Sequence, residues 1–434
     1  MALQTRKYSH RVLAVATVWV LTAIGARLFA KAESPSVAAA TSKTTVRTTN
    51  RSAFYVESMG RHATTQRSVH LQVLDNREAS KIFKARGRGH ALVTGGAGFI
   101  GSHCALKLLE LGYAVTVIDN MSRGNAGALR ALREQSALTG LFRVVIGDLG
   151  VKADIEMAFS NTIAPVDVVF HFAAIAYVGE SMSDPLRYYS NITMNTVNLL
   201  EVMAARGAKS LIYSSTCATY GNPEKLPITE ATPTIPINPY GKSKLYAENA
   251  IRDYAQAHPD FKATILRYFN VIGSDAKLRI GEFPRDNLRA HSRISGACFD
   301  AAMGTIPKLK LLGTNHPTRD GTTIRDFVHV TDLVDAHIAV AEKGNLVNPP
   351  SLYNIGTGRG VSMREFVEAC KRVTASNIQV EVRHEPRPGD YAEVYASVDK
   401  IRKELGWEAK YTDLDQSLSH SWAFRRKIAN NSWD

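Results

Sequence analysis

Beyond residue 90 the chain alternates between two hydrophobic rhythms. Short apolar runs at His90–Thr94, Ala114–Ile118, Phe142–Ile146, Val166–Phe170, Leu211–Ser215 and Thr264–Tyr268 are separated by stretches patterned for helices, the first an amphipathic segment from Ser102 to Leu111. Apolar runs of about five residues with helices between them predict strands covered on both faces, and hence a parallel sheet. The expected fold class is α/β, a doubly wound parallel sheet, with ligands at the carboxyl ends of its strands. After Asn270 the pattern loosens, and residues 273–325 mix Gly, Pro and charges without a clear period. Ser351–Ile355 and Ile378–Val382 read as late strands. A smaller carboxy-terminal α/β lobe that threads back once onto the main sheet is therefore expected. No internal repeat interrupts this plan.

The amino end follows other rules. Arg6, Lys7 and Arg11 precede an uncharged run from Val12 to Ala26, and Arg27 and Lys31 follow it. That run is shorter than the ~20 apolar residues of an ordinary span. It reaches that length only if Arg27 snorkels to the interface. Three readings stay open for residues 1–32: a signal-anchor with a cytosolic tail and a luminal body, a cleaved signal or organelle-targeting peptide, and a helix folded back on the body. Basic residues before the apolar run favour the first. Ala30-Lys31-Ala32 and the Arg/Ser-rich, acid-poor surroundings suit the second. Residues 33–88, rich in Ser, Thr and Arg and poor in aromatics, are expected to form a disordered stalk.

The formal charge of +13 suggests a nucleic-acid partner until it is located. Residues 1–90 carry 15 Lys+Arg against 4 acidic residues, whereas the remainder carries 38 against 36. The body is nearly neutral, so no nucleic-acid partner is expected. Cys104, Cys217, Cys298 and Cys370 are scattered, with no Cys-x-x-Cys or Cys/His cluster. No metal site is expected.

Candidate chemistry begins where the first strand ends. Thr94-Gly95-Gly96-Ala97-Gly98-Phe99-Ile100-Gly101 places Gly95, Gly98 and Gly101 between a strand and a helix. A Cβ there would obstruct both the sharp turn and the approach of a pyrophosphate. The helix that follows turns its positive end to the phosphates. Asp119 lies 18 residues beyond Gly101, at the end of the Val115–Ile118 strand. A carboxylate there accepts hydrogen bonds from ribose hydroxyls and repels a 2′-phosphate, so NAD is expected rather than NADP. The alternative for Asp119 is a helix N-cap before Asn120-Met121-Ser122. Asp148, after the third strand, is a similar candidate for the adenine amino group, with a solvated loop acid as its alternative.

Far downstream, Tyr240 and Lys244 are spaced i, i+4, one turn apart on a helix face. Asn238-Pro239 just before them suits a helix start. A free tyrosine, with a pKa near ~10, is a poor base at neutral pH. A neighbouring ammonium and a positive nicotinamide ring both favour the phenolate. Ser214-Ser215-Thr216 ends another apolar run on the same rim. A hydroxyl there, Thr216 above all, is placed to bond the reacting oxygen and pass its proton to Tyr240. A plain turn hydroxyl is the alternative.

With these residues assembled, the chain resembles the extended short-chain dehydrogenase/reductase superfamily and, within it, the UDP-sugar 4-epimerases. The resemblance covers about residues 89–430 and rests on Thr94–Gly101 with Ser102-His103, Asp119-Asn120, His171-Phe172-Ala173-Ala174, Val178-Gly179-Glu180-Ser181, Leu266-Arg267-Tyr268-Phe269-Asn270, Arg325-Asp326-Phe327 and Arg387-Pro388-Gly389-Asp390. It implies a Rossmann-type NAD domain over 89–271 and a UDP-sugar lobe over 272–434. Phe99, Ile100, Asn120, Leu149, Phe172, Ala173, Asn191 and Phe269 would then border the cofactor. Thr216, Asn270, Arg325, Arg387 and Asp390 would hold the substrate, two arginines suiting a diphosphate. The implied reaction inverts C4 through a 4-keto sugar, with tightly bound NAD as a resident oxidant and Tyr240 as base. A homodimer is implied as well.

Departures refine the resemblance. Hexose 4-epimerases often carry Gly-Leu-Lys-Ala where this chain has Ala174-Ile175-Ala176-Tyr177. That stretch, the run Ser215-Thr216-Cys217-Ala218-Thr219-Tyr220 and the run Arg293-Ile294-Ser295-Gly296-Ala297-Cys298 look like plant-type UDP-arabinose (UDP-xylose) 4-epimerases, which also carry an amino-terminal Golgi anchor. Pentose substrates are expected before UDP-glucose and UDP-galactose. Phe327 stands where the family usually has tyrosine. Sugar-nucleotide dehydratases, which share the loop and the Tyr-x-x-x-Lys pair, carry Asp-Glu after the threonine; Cys217 and Ala218 argue against that chemistry. UDP-glucuronate decarboxylases would want a glutamate near the same turn. A non-catalytic NAD-binding scaffold is the remaining class, and the joint presence of Tyr240, Lys244 and Thr216 argues against it.

Overall fold

The computed structural model describes residues 76–86, 88–291, 293–343, 346–429 and 433. The expected tail, the apolar segment and the stalk up to residue 75 lie outside the described residues; the end of the stretch expected to be disordered is instead a helix, Asn76–Arg86, held by Ile82 and Phe83 packing on the main core. Within them the strands are β1 (His90–Thr94), β2 (Ala114–Asp119), β3 (Phe142–Ile146), β4 (Val168–His171), β5 (Ser210–Thr216), β6 (Lys262–Tyr268), β7 (Asn270–Ile272), β8 (Leu309–Leu312), β9 (Ile324–His329), β10 (Ser351–Ile355), β11 (Gly360–Ser362), β12 (Val380–Arg383) and β13 (Glu393–Val394).

Seven of these form one parallel sheet in the order β10-β6-β5-β4-β1-β2-β3. Doubly wound α/β is the observed architecture. The late strand β10 docks on β6 at the sheet's edge, with Ser351 opposite Thr264. Both faces of β1, β2 and β4 are buried, which is why their sequences read as continuous apolar runs. Strand order reverses between β1 and β4, and such switch points open a crevice at the strands' carboxyl ends. His171 ties the two strands there, pairing with Thr94 Oγ1 at 2.7 Å through Nδ1 and with Thr196 Oγ1 at 3.0 Å through Nε2. Burial, helped by Lys244, lowers its pKa to about 3, so the link is a neutral imidazole.

The structure corrects some boundaries. The helix after β1 begins at Phe99 rather than Ser102, because Gly98 already serves as its N-cap. Strand β4 begins at Val168 rather than Val166. The late strand expected at Ile378–Val382 is β12, and it pairs with β8 away from the main sheet. The loosely patterned 273–325 stretch contains a helix, Ile294–Ala302, and β8.

Strand β9 was not expected. It is buried throughout, and it organises a second sheet with β11, β13 and β7. Charged Arg325 and Asp326 disguise it in the sequence. Asp326 is fully buried yet accepts hydrogen bonds from Thr357 N–H (2.8 Å), Thr357 Oγ1 (2.7 Å), Gly358 N–H (2.9 Å) and Ala396 N–H (3.2 Å). A buried carboxylate so satisfied is a structural joint. The neighbouring Phe327 packs at a tilt against Phe366 with ring centroids 4.4 Å apart in the smaller core. The missing tyrosine hydroxyl is thus accommodated by apolar packing.

Candidate active site

The glycine loop shapes the crevice floor. Gly95 has φ of +70°, and a Cβ on it would lie 2.7 Å from the backbone nitrogen of Ala173. A Cβ on Gly101 would press into the carbonyl oxygen of Gly95. The turn is closed by Gly95 N–H to Ile118 O (2.8 Å) and Gly98 N–H to Gly95 O (3.1 Å), and the helix Phe99–Glu110 departs directly from it. The result is a cradle of bare backbone at a helix N-terminus, which suits a pyrophosphate.

Along the cradle run Phe99, Ile100, Asp119, Asn120, Asp148, Leu149, Phe172, Ala173 and Asn191, all of them lining the crevice with Gly95, Gly98 and Gly101. Asp119 accepts N–H groups of Ala97 on Oδ2 (2.9 Å) and Met121 on Oδ1 (2.8 Å). It therefore ties the end of β2 to the glycine loop, and no helix starts after it for the N-cap alternative to serve. Asp148 is held by Asn120 Nδ2 and by Gly150 N–H, each at 2.7 Å, which places both side chains at one end of the crevice. Asn191 accepts Ile175 N–H at 2.8 Å, fixing the stretch after Ala173. Phe269 is buried in the main core and absent from the crevice lining; its neighbour Tyr268 lines the crevice instead.

At the other end stands the catalytic helix, Pro239–Ala257, capped by Asn238 with Pro239 in its first turn. Tyr240 and Lys244 both face the crevice. Lys244 Nζ donates to Ser214 O at 2.6 Å and lies over the Tyr213 ring at 4.9 Å. The phenol of Tyr240 meets the hydroxyl of Thr216, which also accepts Ala218 N–H at 3.2 Å. Thr216, Tyr240 and Lys244 are thus gathered on one rim.

The electrostatics differ from the expectation. Burial dominates at both groups, pushing the Tyr240 phenol well above its ordinary range and lowering Lys244 to about 7. Thr216 and Arg293 pull the phenol back down, and Glu248 supports the lysine's charge. The protein's own surroundings therefore keep the phenol protonated. The further positive charge that favours phenolate belongs to an oxidised nicotinamide.

Arg325, Arg387 and Asp390 form a cluster outside the crevice lining, from which Asn270 is absent as well. Arg325, nearly buried, donates to Asp390 Oδ1 (2.8 Å) and to Tyr391 O (2.7 Å). Arg387 donates to Asp390 Oδ2 at 3.1 Å and remains half exposed. Burial would raise the Asp390 carboxyl, but the two arginines hold it below its usual value. Asn270 sits on β7 opposite Phe327. Cys217, next to Thr216, is pushed up to about 12 by burial and has no use as a proton carrier.

A model of the NAD dependent epimerase/dehydratase family matches residues 91–356. The chain belongs to that family. The rice (Oryza sativa subsp. japonica) protein named probable UDP-arabinose 4-epimerase 3 is 54% identical over 349 residues, which are 80% of this chain and 85% of the rice protein. UDP-arabinose 4-epimerase 1 of Arabidopsis thaliana is 53% identical over 342 residues, 79% of this chain and 80% of that protein. Among solved structures, the UDP-glucose 4-epimerase of Bifidobacterium longum in complex with NAD+ and UDP superposes with a TM-score of 0.74 at 36% identity, covering 79% of this chain and 100% of that one.

The residues present fit the family's cofactor. The cradle is one a single Cβ would fill, the adenosine end carries carboxylates, and the crevice encloses about 1340 Å³ including its open mouth. Asn125 and Arg293 are among the lining residues that escaped the cofactor assignments drawn from sequence. Asn125 donates to Phe283 O at 3.0 Å across the crevice, joining segments 158 positions apart, and no local pattern could signal it. Arg293 lines the wall near Tyr240, paired with Glu282, and only the family resemblance had marked its stretch.

Proposed function

We propose that this chain is a UDP-arabinose/UDP-xylose 4-epimerase, inverting the C4 centre of a UDP-pentose through a 4-keto intermediate with resident NAD. The observation that carries the reading is the placement of Tyr240 and Lys244 on the wall of the glycine-cradled crevice, with the Thr216 hydroxyl at the end of β5 beside the Tyr240 phenol. The names of the rice and Arabidopsis relatives support the pentose.

In this reading the bound NAD supplies a reversible hydride acceptor beside the sugar's C4. Tyr240 takes the C4 hydroxyl proton, helped by the Thr216 hydroxyl, and returns a proton to the ketone oxygen after the sugar has turned. Lys244 holds positive charge behind the phenol and anchors itself on the Ser214 carbonyl. Arg325 and Arg387 grip the diphosphate, with Asp390 orienting both guanidinium groups. Binding energy placed on UDP leaves the sugar free to present either face. Cys217 and Ala218 supply no second acid or base, so water is not eliminated.

The test is incubation of purified protein, with no NAD added, with UDP-xylose and separately with UDP-galactose, followed by resolution of the products. UDP-arabinose from UDP-xylose, formed faster than UDP-glucose from UDP-galactose, is expected. A faster hexose reaction replaces the substrate assignment with UDP-glucose/UDP-galactose. No turnover of either refutes the function.

The chain is further proposed to sit in the Golgi membrane as a single-pass protein with a luminal body. The basic residues ahead of Val12–Ala26 and the resemblance to plant-type enzymes support this. No described helix is long and apolar enough to cross a membrane. Protease protection of the body in sealed microsomes is the expected result, and digestion without detergent refutes it. A homodimer is proposed from apolar side chains left exposed on neighbouring helices. These are Leu186, Met194 and Tyr246, the last stacked on Tyr189 at 6.0 Å. Light scattering at one chain's mass would refute it.

A further inference from the structure

Three segments that the reaction needs meet at one fully buried side chain. Asn238 caps the helix that carries Tyr240 and Lys244, its Oδ1 accepting the N–H of Gly241 at 2.8 Å. Its amide nitrogen donates in another direction, to Gly389 O at 3.2 Å and to the Tyr391 hydroxyl at 2.6 Å. Tyr391 Oη passes the chain of bonds on to Ala218 O at 3.4 Å, and Ala218 N–H donates to Thr216 Oγ1. The carbonyl of Tyr391 also receives Arg325.

Capping alone does not call for asparagine, because serine, threonine or aspartate supplies the acceptor equally well. Asparagine adds two donors on the same planar group. Here both donors reach the loop that carries Arg387 and Asp390. The approach is close. Gly389 has φ of +78°, and a Cβ on it would lie 3.2 Å from Cβ of Asn238. Gly241 is similarly constrained, since a Cβ there would press into Ala218 O.

We propose that Asn238 is a positioning residue that registers the Arg387–Asp390 loop against the phenol of Tyr240. The substrate is gripped at its diphosphate and reacts at the far side of its sugar, so the span from grip to base must be constant for both faces. One amide, bonded to the catalytic helix and to the gripping loop, sets that span. Misplacement by about 1 Å at a reacting centre can cost roughly 10²-fold in rate. The inference rests on the reading of Arg325 and Arg387 as the diphosphate seat.

Asn238→Ser keeps a capping oxygen and removes both donors to the loop, and Tyr391→Phe removes one partner while leaving the cap untouched. In each full-length variant the readouts are melting temperature, NAD retained on purification, Kd for UDP and kcat with the UDP-sugar. The expected result is near-native melting and NAD content, a UDP Kd within twofold of wild type, and a kcat at least tenfold lower for Asn238→Ser. The double variant should be no slower than the slower single one, because both changes cut the same connection. A kcat within twofold of wild type in both variants overturns the proposal. So does a loss appearing wholly in UDP affinity, or a rate loss that follows lost NAD. Should Asn238→Ser not fold, Tyr391→Phe decides alone by the same criteria, with at least a threefold fall in kcat expected. Failure of the functional reading looks different, since wild type itself would then neither bind UDP nor epimerise.

Discussion

Glu248 provides a quantitative test of how the catalytic helix is held. It lies one turn beyond Lys244 on the same face, with no solvent exposure, and receives Arg267 Nε (2.9 Å), Arg267 Nη2 (2.5 Å) and Ser215 Oγ (2.5 Å). Arg267 on β6 is itself buried and lies over the Tyr220 ring at 4.6 Å. Replacing Glu248 by Gln keeps the shape and removes the charge, leaving the guanidinium buried without its counterion. Breaking such a pair from one side costs ~3–5 kcal/mol, whereas replacing both partners by apolar groups is often near neutral. At roughly 2–4 °C per kcal/mol for a domain of this order of size, Glu248→Gln should melt about 6–20 °C lower. Glu248→Met with Arg267→Met should recover most of that. The same charge supports the ammonium of Lys244, so its loss should also shift the lysine-dependent limb of the pH–rate profile to lower pH. The assay is thermal unfolding of the NAD-loaded protein beside kcat measured across pH. A fall of less than 2 °C, or a double variant no more stable than Glu248→Gln, would refute the reasoning.

Other substitutions separate cofactor, base and charge. Tyr240→Phe should retain NAD and lose about 10²–10⁴-fold in kcat, the usual share of a positioned base; near-normal turnover would remove Tyr240 from its role. Gly101→Ala drives a methyl into Gly95 O and should abolish NAD retention, read from absorbance of the supernatant after denaturation. Lys244 has a folded pKa lowered from 10.5 to about 7, so the unfolded chain binds more protons between those values and stability rises with pH across that window. Lys244→Met should therefore stabilise the NAD-stripped protein by a few kcal/mol below about pH 7, an advantage that fades toward pH 10, while turnover is lost. An advantage that grows with pH would contradict the assignment.

The glycine loop, the strand before it and the Tyr240/Lys244 pair are local patterns, and the chain's order alone determined them. Turn geometry, helical spacing and two-sided burial each act over a few residues, so β1, β3 and β10 lie at the residues their apolar runs mark. Asp119 and Thr216 followed because strand ends in a parallel sheet share one rim. Arg325, Arg387 and Asp390 were legible only through resemblance, since nothing local distinguishes them from solvated surface charges. Strand β9 escaped notice because a buried Asp326 looks polar until Thr357, Gly358 and Ala396 arrive to satisfy it. Tertiary structure also reversed an electrostatic expectation. Tyr240 and Lys244 face one crevice as their spacing implies, yet desolvation by the surrounding sheet and helices dominates at each, raising the phenol and lowering the ammonium. The loop contacts of Asn238 and the crevice contact of Asn125 depend on partners more than a hundred residues away. Spacing along the chain sets which groups can share a face, but the cost of a charge and the partner of a buried amide depend on what folding brings against them.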